Sequence, residues 1–146
     1  MARHLRAEGH APDIVLCSTS TRTRETLKLI RPAFRNNPRI RFLRSLYLAE
    51  WKAMLAAIRK MPAVAGTVLL VGHNPGMEEL ALALAKPPRT EDGRRHIRRL
   101  RKKFPTGALA VLDFDATAWA GILPQRGRLS AFVRPKELSS GNRDET

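Results

Sequence analysis

A histidine lies where a strand is predicted to end and a helix to begin, in the segment Gly72-His73-Asn74-Pro75-Gly76. The four aliphatic residues 68–71 before it are typical of a strand buried on both faces. Asn74 suits a helix N-cap, Pro75 suits the first helical position, and two glutamates follow in the opening turns. Ligands of open α/β sheets bind at such junctions, where backbone N–H groups favour anions. His73 is therefore a candidate anion-binding residue; the alternative is a histidine that only caps the turn.

A second junction of this kind follows the apolar run 14–17. Residues 18–21 are Ser-Thr-Ser-Thr, which offers several N-caps for a helix over about 22–30. Arg22 and Thr26 are four residues apart, so both can face the carboxyl end of the strand. A cation in the first helical turn is slightly unfavourable against the helix dipole, which argues for an anionic partner. The alternative is a solvated arginine.

The histidines and the cysteine argue against a metal site and against a nucleophilic thiol. The histidines lack the spacing of metal ligands, so we expect neither a metal nor a cofactor; they are His4, His10, His73 and His96. The single cysteine, Cys17, ends an apolar run and is interpreted as a small buried hydrophobe rather than a nucleophile. It cannot form an internal disulfide, and a reducing cytoplasm is the expected compartment. No apolar run approaches the roughly 20 residues of a membrane span, so no membrane partner is expected.

The formal net charge is +14 over 146 residues, which favours acidic partners: phosphorylated substrates, acidic protein faces or nucleic acid. Much of this charge falls in residues 86–103, a run that we predict to be a solvated loop insertion, with an acidic-partner surface as the alternative. No aromatic residue interrupts the run before Phe104, so it lacks the stacking platforms of single-strand binders. Nucleic-acid binding is accordingly the weakest hypothesis.

Alternating strands and helices must position both junctions. The length fits one domain with a sizeable core. Strands are predicted near 14–17, 40–43, 68–71, 108–114 and 128–133, and helices within 1–9, 22–30, 51–60 and 75–84. This alternation predicts an α/β fold with a parallel sheet covered on both faces. The domain is predicted to cover residues 1–138, with a polar tail at 139–146.

Three segments, in this order, resemble the SixA-like branch of the histidine phosphatase superfamily, whose broader members include the phosphoglycerate mutases. They are S-x-x-x-R-x-x-x-T from Ser18 to Thr26, V-G-H-N-P-G from Val71, and K-F-P-T-G-A-L-A from Lys103. The resemblance runs from residue 1 to about residue 138. It implies a three-layer α/β sandwich with a mostly parallel central sheet. It also implies removal of phosphoryl groups from phosphohistidine of a signalling protein, or from a small phosphoester.

The resemblance also assigns roles by position. Arg22 matches the family's second arginine and His73 its second histidine, which implies catalytic and substrate-binding roles for both. Ser18 and Asn74 become further substrate-binding candidates, and Thr26 matches a position that supports the helix carrying Arg22. A planar guanidinium suits the oxygens of a phosphoryl group because it can bind two of them at once.

The sequence departs from the family at its beginning. The family's first strand carries a nucleophilic histidine in an Arg-His pair, and the resemblance begins only at the following helix. Arg3-His4 has the right dipeptide without a preceding apolar run, so we interpret it as coincidence. We expect a histidine-phosphatase fold lacking its first strand, in an N-terminally truncated phosphatase; the alternative is a non-catalytic phosphate-binding pseudo-enzyme. Glu50, between the two junctions, is a weak candidate for a general acid.

Overall fold

The structure is a computed structural model and describes residues 1–138. The predicted polar tail at 139–146 lies outside the described residues. The helices are α1 (Ala2–Ala7), α2 (Thr21–Ile30), α3 (Trp51–Arg59), α4 (Gly76–Leu84) and α5 (Glu91–Lys102). The strands are β1 (Ile14–Ser18), β2 (Arg39–Leu43), β3 (Val68–Val71), β4 (Leu109–Asp113) and β5 (Arg128–Val133). Short 3₁₀ turns cover Arg31–Ala33, Arg44–Leu46 and Trp119–Gly121.

Three parallel strands form the main sheet, in the order β2-β1-β3. The central strand β1 pairs with β2 from Ile14 opposite Arg39, and with β3 from Ile14 opposite Val68. All five residues of β1 are buried, which agrees with the burial predicted for its four apolar residues 14–17. The expected α/β fold with a parallel sheet is therefore confirmed.

Helices cover both faces of this sheet because successive side chains of β1 point to opposite sides. Ile14 and Leu16 join a cluster that includes Met54 of α3 and Leu80 of α4. Val15 and Cys17 face the opposite cluster, to which α1 and α2 contribute. The thiol of Cys17 is free and fully buried, which agrees with its interpretation as a small core residue, and burial raises its pKa.

The last two strands, β4 and β5, form a separate antiparallel pair. The connection between them contains only a 3₁₀ turn, and a parallel return normally needs a helical crossover. Within residues 1–138, β3 pairs only with β1, and β4 pairs only with β5. One edge of each strand is therefore unpaired, and the first three residues of β3 are only half-buried.

The prediction of a solvated loop over residues 86–103 is wrong, because Glu91–Lys102 form helix α5. Thr90 caps the helix by accepting a hydrogen bond from the Gly93 N–H at 3.0 Å. Acidic residues begin the helix and basic residues end it, which suits the helix dipole. Leu100 is fully buried, and Ile97 packs against the same cluster. Arginines surround this short apolar stripe in the sequence, so the charge hides the helical period.

No helix of residues 1–138 combines the length and apolar character that a bilayer crossing requires.

Candidate active site

Ser18 and His73 meet where β1 and β3 end. The two strands are parallel and in register, with Cys17 opposite Val71, so the residues that follow emerge at the same edge of the sheet. The Ser18 hydroxyl and the His73 Nε2 share a hydrogen bond of 3.0 Å, and the protonation of the imidazole decides its direction. The structure thus joins two predicted site residues that are 55 positions apart in the sequence.

Ser18 is fully buried, so its hydroxyl faces His73 and not the solvent. The Ser20 N–H donates to the Ser18 hydroxyl at 3.4 Å, and the Thr23 hydroxyl donates to the Ser18 carbonyl at 2.9 Å. Ser20 also caps α2 by accepting from the Thr23 N–H at 3.2 Å. The start of α2 therefore fixes Ser18, and Ser18 in turn fixes one ring nitrogen of His73.

Tyr47 packs against the His73 ring. The two ring centroids are 5.8 Å apart and the planes meet at 70°, which is an edge-to-face arrangement. Tyr47 is 55% exposed and lies in the loop after β2, the third strand that ends at this edge. The sequence prediction missed Tyr47 because no repeated spacing marks a loop residue. Its position just beyond a parallel strand is the signal that was available.

Gly76 lets the Tyr47 loop approach the start of α4. A Cβ at position 76 would collide with the Ala49 carbonyl oxygen and would lie 2.7 Å from Met54 Cε. Leu46 anchors the same loop in the core, where it is fully buried. The glycine is therefore needed for a close approach, and this approach places Tyr47 beside His73.

Asn74 has both polar side-chain atoms engaged within the protein. Its Nδ2 donates to the Phe104 carbonyl at 2.5 Å, and its Oδ1 accepts from the Glu78 N–H at 3.3 Å. The helix begins one residue later than predicted, with Pro75 in the N-cap position. The contact with Phe104 links the His73 turn to the third segment of the sequence pattern, so Asn74 acts here as a connecting residue.

Arg22 lies exposed in the first turn of α2, at the same edge of the sheet as His73. Its guanidinium makes no hydrogen bond or ion pair with residues 1–138, while its carbonyl accepts from the Thr26 hydroxyl at 3.1 Å. The structure therefore brings Ser18, His73 and Tyr47 into contact and leaves the Arg22 side chain available to an anion. Glu50 is exposed at the N-cap position of α3, without a side-chain capping bond.

Several known proteins are similar to this chain over most of its length. No family model matches the chain. An uncharacterized protein of Mycobacterium tuberculosis is 36% identical over 135 residues, which cover 90% of this chain and 79% of that protein. An uncharacterized protein of Mycobacterium leprae is 32% identical over 135 residues, covering 90% of this chain and 77% of that one.

Among solved structures, the putative phosphohistidine phosphatase SixA from Agrobacterium tumefaciens is similar with a TM-score of 0.71 and 32% identity. The match covers 92% of this chain and 75% of that one. This chain belongs to the SixA-like histidine phosphatases. The putative phosphohistidine phosphatase SixA from Nakamurella multipartitia gives a TM-score of 0.74 at 29% identity, over 92% of this chain and 77% of that one.

Membership in the SixA-like family confirms the resemblance and the histidine-phosphatase fold expected from the three sequence segments. Two of those segments supply the Ser18–His73 pair, and the third reaches the site through Asn74 and Phe104. Within residues 1–138, no three His, Cys, Asp or Glu side chains converge as metal ligands.

Proposed function

We propose that this SixA-like chain is a phosphatase-type phosphomonoesterase in which Arg22 and His73 bind the oxygens of a phosphoryl group. The observation that carries the proposal is the Ser18–His73 hydrogen bond, which fixes an imidazole at the edge of the sheet where Arg22 is exposed. Phosphoryl transfer depends mainly on positioning and charge stabilisation, and a guanidinium with an imidazole can supply both. The proposed substrates are phosphohistidine on a signalling protein or a small phosphoester, in the cytoplasm.

Each residue has a distinct part in this proposal. Arg22 makes bidentate, charge-assisted hydrogen bonds to two phosphoryl oxygens. His73 donates through the ring nitrogen that Ser18 does not occupy. Ser18 and Asn74, which the sequence predicts to bind substrate, have positioning parts in this proposal, because Ser18 is buried and both polar atoms of Asn74 are engaged. A pseudo-enzyme that binds phosphate without turnover would use the same groups.

Binding of phosphate and of vanadate, measured by calorimetry, tests the proposal. A charge-assisted hydrogen bond contributes about 1.5–3 kcal/mol, so Arg22→Ala and His73→Ala should each weaken binding by roughly 10- to 100-fold. Arg35→Ala removes an exposed arginine outside the predicted site and serves as the control. Equal loss in all three variants would mean that the anion senses only net charge, and the proposal would be wrong.

Hydrolysis assays with an aryl phosphate and a phosphohistidine protein then distinguish a phosphatase from a pseudo-enzyme that only binds phosphate. Turnover that disappears in His73→Ala supports the phosphatase. Phosphate binding that depends on Arg22 without any turnover supports the pseudo-enzyme.

A further inference from the structure

A shallow groove lies between α2 and β2. We name it the α2–β2 groove; its volume is about 260 Å³, and it is lined by Arg24, Leu27, Lys28, Arg31, Pro32 and Phe42. Its lining combines three cations with three apolar residues. Such a composition fits an amphipathic partner that carries negative charge.

The three cations form a regular stripe. Arg24 and Lys28 lie on α2 and Arg31 is its C-cap residue, with spacings of four and three residues that place them on one helical face over about 10 Å. All three are exposed, and none forms an ion pair with residues 1–138. Their charge therefore remains available to a partner.

The arginines of the basic helix α5, in contrast, form ion pairs. Four of its arginines are already paired: Arg94 and Arg98 with Glu91, Arg95 with Asp92, and Arg99 with Glu137. Arg24, Lys28 and Arg31 have no such partner within residues 1–138, so their charge is not offset by a neighbouring carboxylate as it is for these four arginines.

The apolar part of the groove distinguishes a protein partner from a nucleic acid. Phe42 is 47% exposed, and the Arg24 guanidinium lies over its ring, 4.9 Å from the centroid. This cation–π contact covers one face of the ring, which leaves Phe42 a poorer stacking platform for a base. No other aromatic residue lines the groove.

We propose that the α2–β2 groove binds an acidic segment of a protein partner, in which carboxylates repeat with the same helical spacing as the three cations. Arg22 lies on the same helix, only two residues before Arg24. Residues two apart on a helix point to opposite flanks, so a segment seated in the groove would hold its parent protein on the other flank of α2, about one helix diameter from Arg22. This link between the groove and the substrate rests on the proposed function, whereas the binding of an acidic segment does not.

Fluorescence anisotropy with a labelled, alanine-rich helical peptide tests the groove. The peptide carries glutamates at positions i, i+4 and i+7, repeated over about five turns. The groove variant is Arg24→Glu/Lys28→Glu/Arg31→Glu. The matched control is Lys60→Glu/Lys86→Glu/Arg126→Glu, which changes the net charge equally at three exposed positions outside the groove. We expect at least a 10-fold loss of peptide affinity in the groove variant and less than a 3-fold loss in the control.

A neutral variant guards against misfolding of α2. Arg24→Gln/Lys28→Gln/Arg31→Gln keeps good helix formers in place, and its helicity is checked by circular dichroism. It should also lose affinity for the peptide, and Phe42→Ala should lose about 3-fold. Equal losses in the groove and control variants would overturn the proposal. So would a larger effect of the groove variant on a single-stranded oligonucleotide of equal charge than on the peptide.

The phosphate measurements distinguish a failure of the groove from a failure of the site. Phosphate binding that depends on Arg22, without selective peptide binding, would overturn the groove alone. Selective peptide binding, without phosphate binding, would support the groove and overturn the proposed function.

Discussion

His73 is held on two sides by residues that differ in character. Ser18 contacts Nε2 from inside the protein, and Tyr47 packs against the ring from the exposed side. A histidine that only capped the turn would need neither contact. This arrangement favours a ring whose orientation matters to a ligand, and it assigns Tyr47 the part of a positioning residue.

Replacement of Tyr47 should disturb His73 without removing any charge. Edge-to-face contacts contribute about 0.5–1.5 kcal/mol, so Tyr47→Ala should weaken phosphate binding by roughly 2- to 10-fold. It should also shift the ring-proton resonances of His73 in the NMR spectrum, because the Tyr47 ring current is lost. Tyr47→Phe keeps the ring and should keep both properties. Unchanged His73 ring-proton shifts and unchanged phosphate affinity in Tyr47→Ala would show that Tyr47 does not position His73.

The residues of the site differ in how far the sequence could reveal them. Ser18 ends β1, and Arg22 and His73 lie within four residues of the ends of β1 and β3, so the pairing of these parallel strands brings the three positions to one edge of the sheet. The buried position of Ser18 was not predictable, because it depends on hydrogen bonds with residues of α2 that the pattern does not encode. Tyr47 depends on the close approach of Ala49 to Gly76, which is a tertiary contact.

At the scale of elements, β1 and α5 show why prediction succeeded in one place and failed in another. The apolar run 14–17 is too short for a helix and lies between turn residues, so it favours a strand, and β1 forms where predicted. Helix α5 contains seven basic residues among its twelve positions when His96 is counted, so charge obscured the buried Leu100 and its partner Ile97. The Thr90 cap and the acidic first turn were the local signals for a helix.

Helix α5 should make the stability of the protein depend on pH through His96. Its Nδ1 is buried and has no hydrogen-bond partner within residues 1–138. Burial, with smaller contributions from Arg95 and Arg99, lowers the pKa of His96 below its ordinary value of 6.5. Just below pH 6.5 the unfolded chain therefore binds more protons than the folded chain at this residue, so the free energy of unfolding decreases as the pH falls.

Thermal unfolding between about pH 7.5 and pH 5 measures this effect. The Tm should decrease across the range, and His96→Gln should make the decrease smaller. Burial also lowers the pKa of His4, so His4→Gln should remove a further part of the dependence. A pH dependence that is identical in the wild type and in both variants would show that neither histidine contributes.

At the scale of the whole molecule, the described strands divide into two sheets that share a core. Leu69 of β3 and Leu109 of β4 pack against the same apolar cluster, yet each strand pairs on one side only within residues 1–138. The sequence predicts each strand from its own residues, but it does not show which strands pair, because pairing joins distant segments. The strand positions were therefore predictable, and the division into two sheets was not.

This division predicts a distinct pattern of amide hydrogen exchange. Every second amide of a strand with one unpaired edge lacks a partner in the sheet, whereas β1 is paired on both edges and fully buried. Alternate amides of β3 and β4 should therefore exchange at least 10-fold faster than those of β1, because their protection does not require opening of the sheet. Exchange followed residue by residue with NMR can resolve this alternation. Uniform protection along β1 and β3 would mean that another segment pairs with the second edge of β3 in solution.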